Sequence, residues 1–247
     1  MKVSIITVCY NSSSTIEDTI KSVVSQDYCD IEYIIIDGGS TDNTGLLIEK
    51  YCDFVDVLVS EQDDGLYDAM NKGIKLATGD VVGILNSDDV LANNNVIQNI
   101  VDHMGAYGCV YGDIGFYSDD NFNVKKRHYS SKGFSISKFK RGMMPAHPSC
   151  YVKRGEYLKA GEYRTDFKIA SDFDMLLRLF TLPKFKSIYL EEEIVKMRLG
   201  GVSTSGIKST YLLNKEIIQS CRSNKIKTNW FLLLSKYPSK FLGYIFK

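Results

Sequence analysis

Residues 81–90 read Val-Val-Gly-Ile-Leu-Asn-Ser-Asp-Asp-Val. The first half of this stretch is an apolar run of strand length, and it stops abruptly at Asn86, Ser87, Asp88 and Asp89. A buried strand that ends in carboxylates, an amide and a hydroxyl sets oxygen ligands at the mouth of a sheet, where a hard cation and a phosphorylated ligand can meet. Seen alone, the same residues also read as an Asx-rich loop capping the helix that follows.

Working outward, the same unit recurs. Residues 2–9 form an apolar, β-rich run closed by Tyr10 and Asn11; residues 14–17 have the form of a capping box, and Ile16, Ile20, Val23 and Val24 follow at helical spacing. Residues 33–36 end at Asp37-Gly38-Gly39-Ser40 and lead into a helix through Leu46, Leu47 and Ile48. Residues 55–59 lead through 61–65 into a helix over 66–77, and Val96, Ile97, Ile100, Val101 and Met104 mark the helix after the fourth strand. Short apolar strands alternating with amphipathic helices predict a mostly parallel sheet buried on both faces, an α/β open sandwich that binds ligands at the carboxyl ends of its strands. Past Gly105 the rhythm changes. Residues 109–117, a turn at 119–121 and a return at 124–129 predict antiparallel pairing and a mixed second half.

The chain's 247 residues, 44% of them apolar, suffice for a sizeable core. Its zero net charge hides an asymmetry: residues 1–124 hold 21 Asp and Glu against 5 Lys and Arg, whereas 125–247 hold 9 against 25. An acidic half suits metal and hydroxyl ligands, and a basic half suits phosphates or an anionic surface. Six scattered cysteines lack C-x-x-C pairs and histidine partners at metal spacing, so neither disulfides nor zinc is expected. Met1-Lys2 runs into the first strand without a small-residue cleavage site, and no run approaches the roughly 20 apolar residues of a membrane span. A cytoplasmic protein is expected. The glycine fingerprints of dinucleotide and phosphate-loop folds are missing, so a diphosphate is expected to be held through a metal ion on one or two carboxylates.

Three segments carry a family resemblance. Val3-Ser4-Ile5-Ile6-Thr7-Val8-Cys9-Tyr10-Asn11 resembles the opening strand of the family 2 glycosyltransferases of the GT-A fold, and Ile34-Ile35-Ile36-Asp37-Gly38-Gly39-Ser40-Thr41-Asp42 resembles their nucleotide-recognition turn. The stretch from Ser60 through Asp63-Asp64-Gly65-Leu66-Tyr67-Asp68 to Gly73 is similar to a segment frequent in bacterial surface-polysaccharide members, of O-antigen or capsule type. The resemblance covers residues 3 to about 205. It implies a GT-A glycosyltransferase domain over 1–205, with a nucleotide-sugar-binding half (1–105) and an acceptor-binding half (106–205), followed by a tail over 206–247.

The resemblance also implies roles. Thr7, Tyr10, Asn11, Asp37, Asp63, Asn86, Ser87 and Arg198 would bind the nucleotide sugar, with Tyr10 against the base and Asp37 accepting from uracil. Asp63 also reads as a helix N-cap. The family's D-x-D becomes Asn86-Ser87-Asp88, in which Asn86 can bond a ribose hydroxyl but adds no charge, so Asp88 stands as the main ligand of Mn²⁺ or Mg²⁺. Asp89 would support it or cap the next helix. Asp172, in the first turn of the helix read at Ser171-Asp172-Phe173-Asp174, matches the family's general base, and His147 matches an acceptor-side residue. The segment Arg198-Leu199-Gly200-Gly201-Val202-Ser203-Thr204 would close as a lid over the diphosphate. An inverting transfer needs one carboxylate to deprotonate the acceptor hydroxyl, unlike a glycosidase with its two.

The expectation is therefore an inverting, metal-dependent hexosyltransferase using a nucleotide sugar, most simply a UDP-sugar, and forming a β-linkage on a saccharide acceptor carried by a lipid diphosphate. Its alternatives are a metal-dependent nucleotidyltransferase and a non-catalytic nucleotide- or saccharide-binding protein. The tail interleaves Lys208, Lys215, Arg222, Lys225 and Lys227 with apolar and aromatic residues and has one acid, Glu216. That pattern predicts contact with an anionic membrane surface, on the inner face of the cell membrane, or with a second copy in a homodimer; nothing in it marks a nucleic-acid reader.

Overall fold

The four apolar runs of the first half form β1 (Val3–Cys9), β2 (Ile31–Asp37), β3 (Val57–Ser60) and β4 (Val81–Asn86). They lie in the order β3-β2-β1-β4, all parallel. The crossovers are α1 (Ile16–Val24), α2 (Thr44–Glu49) and α3 (Leu66–Leu76). β1 is buried along its whole length because helices cover both faces, whereas β3, at the sheet edge, alternates between half-buried and exposed residues. On one face Val3 and Ile5 pack with Ile16 and Ile20 of α1; on the other Ile6 and Val8 pack with Met70 and Ile74 of α3. A Cβ on Gly73 would lie 2.4 Å from the Ile6 side chain, so a glycine there is what lets α3 settle closely on β1.

The computed structural model describes residues 1–118, 122–199 and 207–235. Its second half comprises β5 (Asp89–Leu91), α4 (Val96–Met104), β6 (Cys109–Tyr117), β7 (Lys125–Tyr129), β8 (Tyr151–Lys153), α5 (Arg154–Ala160), α6 (Ser171–Phe180), β9 (Ser187–Arg198), α7 (Ile207–Ser223) and α8 (Trp230–Leu234). The sheet continues as β4-β8-β6-β9-β5, with β7 on β6, giving nine strands among the described residues. Pairing is antiparallel except between β6 and β9. The expected α/β sandwich with a mixed second half is the observed fold.

Several expectations change. The capping box before α1 does not form: Thr15 makes no side-chain cap bond, and Glu17 is taken up by the Tyr51 hydroxyl at 2.9 Å and Lys21 at 3.1 Å. Asp89 caps no helix, because it is the first residue of β5 and pairs with Met197 of β9. The turn at 119–121, the division at 205/206, the lid residues 200–204 and the end of the tail from 236 lie outside the described residues. Within α7 the apolar stripe faces inward. Ile217, Ile218 and Cys221 join the core cluster that holds Phe173, Leu177 and Phe180 of α6, so this part of the tail docks on the protein itself. Among the described residues no helix is long and apolar enough to cross a membrane.

Candidate active site

A cavity of about 750 Å³ opens at the carboxyl ends of β1 and β4. Its lining brings together Tyr10, Asn11, Asp63, Asn86, Ser87, Asp88, His147 and Asp172, which are spread over 163 positions of sequence. Thr7, Asp37 and Arg198 lie outside it.

The wall nearest β1 and β4 is built from strand ends. Tyr10, the first residue after β1, is 62% exposed, which leaves an aromatic face free for stacking. Asn11 adopts a positive φ of 49° and ties the turn after β2, its side-chain oxygen accepting from the Thr41 amide at 2.9 Å while its own amide donates to Ser40 at 2.8 Å. Asp63 folds over Gly38: a Cβ on Gly38 would stand 2.6 Å from an Asp63 carboxylate oxygen, so only glycine admits that approach. The same carboxylate accepts from the Gly65 amide at 2.8 Å, making an Asx turn ahead of α3. The Ser87 hydroxyl meets that of Ser12 at 2.8 Å.

Asp88 is half-buried and lines the cavity. Next to it, Asn86 Oδ1 and both Asp89 carboxylate oxygens are buried and have no hydrogen-bond partner among the described residues. Burial pushes the Asp89 carboxyl well above the usual carboxylate range, with the Asp88 charge adding to it and Asn86 and Arg198 opposing. Arg198 is the last residue of β9, and the β5–β9 pairing carries its side chain behind the Asp88 turn, where it pairs with Asp18 at 2.6 Å and donates to the Asp88 carbonyl at 3.2 Å.

Thr7 is fully buried because strand alternation places it on the face of Val3 and Ile5, and its hydroxyl bonds that of Tyr33 at 3.1 Å. Asp37 is 2% exposed and lies beneath the cavity, with Ser60 donating to it at 2.6 Å and the Ser40 amide at 3.2 Å.

The opposite wall belongs to the second half. Asp172 lies in the first turn of α6 and is 9% exposed. Its Oδ2 is 3.3 Å from the Tyr67 hydroxyl and 3.9 Å from His147 Nε2, and its Oδ1 is buried with no partner among the described residues. His147 opens the 3₁₀ turn His147–Ser149, whose Ser149 bonds both Gly112 and Ala146. Sequence reasoning missed Ser12, Tyr67 and Lys168, which also line the cavity. Tyr67 shares a helical stripe with Met70 and Ile74, so its spacing signals core and nothing more.

A parallel sheet whose strand ends face a helix-borne carboxylate across one cleft defines a GT-A-like enzyme. The chain belongs to Glycosyl transferase family 2, whose family model matches residues 4–155, and it is a glycosyltransferase. It is 34% identical over 178 residues to an uncharacterized glycosyltransferase of Mycobacterium tuberculosis, covering 71% of this chain and 68% of the relative. It is 27% identical over 218 residues to a PGL/p-HBAD biosynthesis glycosyltransferase of Mycobacterium bovis, covering 85% and 82%. Its fold matches S. aureus TarS 1–349 in complex with UDP-GlcNAc at a TM-score of 0.68 and 17% identity, over 89% of this chain. It also matches the Pyrobaculum calidifontis mannosyltransferase PcManGT, in complex with GDP-Man and Mn²⁺, at 0.65 and 18%, over 94%. The chain spans 66% of each of those two solved chains. Family membership removes the nucleotidyltransferase and non-catalytic alternatives.

Proposed function

We propose that this glycosyltransferase moves a hexose from a nucleotide sugar, a UDP-sugar, onto a saccharide hydroxyl with inversion, giving a β-linkage. The observation that carries the reading is Asp172 Oδ1, a buried carboxylate oxygen without a partner in the wall of the cavity that Asp88 also lines. A buried acceptor with nothing to accept is costly unless a ligand supplies the donor, and an acceptor hydroxyl is the ligand this chemistry needs. Asp172 takes that proton as the hydroxyl oxygen attacks the anomeric carbon. Tyr10, Asn11, Asp63, Asn86 and Ser87 hold the nucleotide, Asp37 orders the Ser40 turn beneath them, and His147 faces the acceptor. The halves divide as residues 1–105 for the donor and 106–205 for the acceptor.

The residues present fit a divalent ion. No cluster of three His, Cys, Asp or Glu side chains occurs among the described residues, but Mg²⁺ and Mn²⁺ bind through one or two carboxylates when substrate phosphates complete the shell. Asp88 would supply the carboxylate, and Asn86, whose Oδ1 has no partner among the described residues, lines the same cavity and would offer a second oxygen. Such an ion, when bound, neutralises charge on the departing diphosphate.

The acceptor is a lipid-diphosphate-linked saccharide in surface-polysaccharide assembly, met at an anionic membrane. In support, α8 exposes Trp230 (40%), Phe231 (86%) and Leu234 (50%), with Tyr211 of α7 stacked on Trp230 at 5.5 Å. Exposed Arg222, Lys225 and Lys227 precede that helix, and a bond from Thr228 to the Lys140 carbonyl sets exposed Lys140 and Arg141 beside it. Cations around an aromatic face suit a headgroup layer, each contributing on the order of 1 kcal/mol.

Incubation with a panel of nucleotide sugars, with Mn²⁺ or with excess chelator, tests the chemistry: one UDP-sugar should be turned over, and only with metal. Full turnover in chelator would sink the metal reading. Co-sedimentation with anionic vesicles should weaken steeply with salt and fall in Phe231→Asp; an oligomer that persists without lipid would instead assign the face to a second copy.

A further inference from the structure

The cap residue of α6, Ala170, makes no side-chain cap bond, yet the amides leading into this helix are not left open. A carboxylate 46 to 48 residues downstream takes them up: Glu216 of α7 accepts from Lys168 at 2.9 Å, Ile169 at 3.0 Å and Ala170 at 2.9 Å. Glu216 is 5% exposed, so these charge-assisted bonds work in a dry setting. They fix the backbone two residues ahead of Asp172.

A second group reaches the same place from the first half of the chain. The Tyr67 hydroxyl on α3 lies 2.9 Å from the Ile169 carbonyl and 3.3 Å from Asp172 Oδ2. One phenolic proton serves one acceptor well at a time, so Tyr67 is shared between the carbonyl and the carboxylate. Burial, with the Asp172 charge adding to it, pushes the phenol far up, so it remains a donor throughout the working range. Its ring is held by parallel stacking on Tyr163 at 6.0 Å. One turn along α3, Asn71 clamps the Tyr163 backbone with bonds of 2.9 and 2.7 Å.

We propose that Tyr67 and Glu216 are the positioning residues of Asp172: Glu216 fixes the chain that carries the carboxylate, and the Tyr67 hydroxyl holds Oδ2 so that Oδ1 is presented to the acceptor. This rests on Asp172 being the base. During transfer the acceptor proton passes to Asp172, and Tyr67 keeps its own. The helix α7 thereby belongs to the catalytic apparatus rather than to a detachable tail.

The test must separate positioning from folding. The groups that face Asp172 are Tyr67 from α3 and His147 from its 3₁₀ turn, with Tyr163 and Glu216 behind them; only Tyr67 changes in Tyr67→Phe. At the plateau kcat should fall about 10- to 100-fold, as misplaced catalytic groups do, with the donor KM unchanged. Glu216→Gln should lower kcat in the same range, again at constant donor KM. Asp172→Asn is measured alongside. Should Asp172→Asn keep the wild-type rate, the base assignment itself fails. With Asp172→Asn slow, a Tyr67→Phe enzyme that keeps its kcat overturns this inference alone, whatever its melting temperature. Tyr67→Phe removes a single oxygen, so it carries the test even if Glu216→Gln does not fold.

Discussion

The two walls of the cavity are made in different ways. The wall of Asp88 comes from strand ends within the first ninety residues, where parallel pairing of β1, β2 and β4 forces Tyr10, the Asp37 turn and Asn86 onto one edge. The wall of Asp172 draws on α3, α6, α7 and the His147 turn, and its bonds join residues 105 and 46 apart in sequence. Backbone strand pairing builds the first wall; buried side-chain bonds between helices build the second. Damage should therefore differ: changes at the first wall should remove ligands and leave the fold alone, whereas changes behind the second should cost stability as well.

The largest effect is expected from Asp88→Ala, which should lower turnover by at least about 10³-fold, the scale on which electrostatic stabilisation of a transition state acts. Its melting temperature should match wild type, since among the described residues the side chain makes no hydrogen bond. A large drop in melting temperature would break the contrast between the walls. Next comes Asp172→Asn, nearly isosteric and unable to take a proton. It should slow the chemical step by about 10²–10⁴-fold while calorimetric donor affinity stays within about twofold. If donor binding collapses instead, Asp172 belongs with the nucleotide wall.

A stability measurement sharpens the comparison. Asp174, 1% exposed, ties α6 to α7 through Arg178 at 2.8 Å and Ser220 at 2.7 Å. Asp174→Ala would remove the buried carboxylate that Arg178 and Ser220 share while the guanidinium keeps the Ala160 and Glu162 carbonyls, so urea unfolding should report a loss of about 1.5–3 kcal/mol. Ser87→Ala, which deletes the Ser12–Ser87 hydroxyl pair on the other wall, should cost only about 1 kcal/mol.

An effect of pH alone is expected at the opposite end of the first-half strands. Burial alone would raise the Glu32 carboxyl, but bonds from Lys2, Ser4 and Thr78 outweigh it and hold it at about 2. A carboxyl depressed in the folded state contributes stability that is present above its ordinary value of 4.5 and is lost as pH falls toward about 2. Unfolding free energy should decline across that window by roughly 2–3 kcal/mol from this group, and Glu32→Gln should flatten that part of the profile.

Much of the first wall was legible in the chain. The four strand-helix units, the acids at the end of β4 and the turn after β2 follow from hydrophobic period and from residues that stop a strand. A segment-level match does not say to which side of a strand each residue points, so it did not show that Thr7 and Asp37 lie outside the cavity's lining. The second wall was less readable. Asp172 stood out as an acid opening an apolar helix, but Tyr67 was hidden in a core stripe. Glu216 carried a signal that went unused: it is the one acid in a basic tail, and a lone acid among cations is a candidate for a buried, internally paired group.

Local chemistry thus dictated the α/β order, the carboxyl-edge location of the site and the acid chosen for each wall, because strand period and turn residues act over a few positions. Which oxygens remain without partners, which face of α7 is buried, where Arg198 reaches and what orients Asp172 depend on groups dozens to a hundred positions apart. Those outcomes are set by packing: once α3, α6 and α7 close over one core, each buried polar atom must take whatever partner the neighbouring helix offers, and no local period encodes that choice.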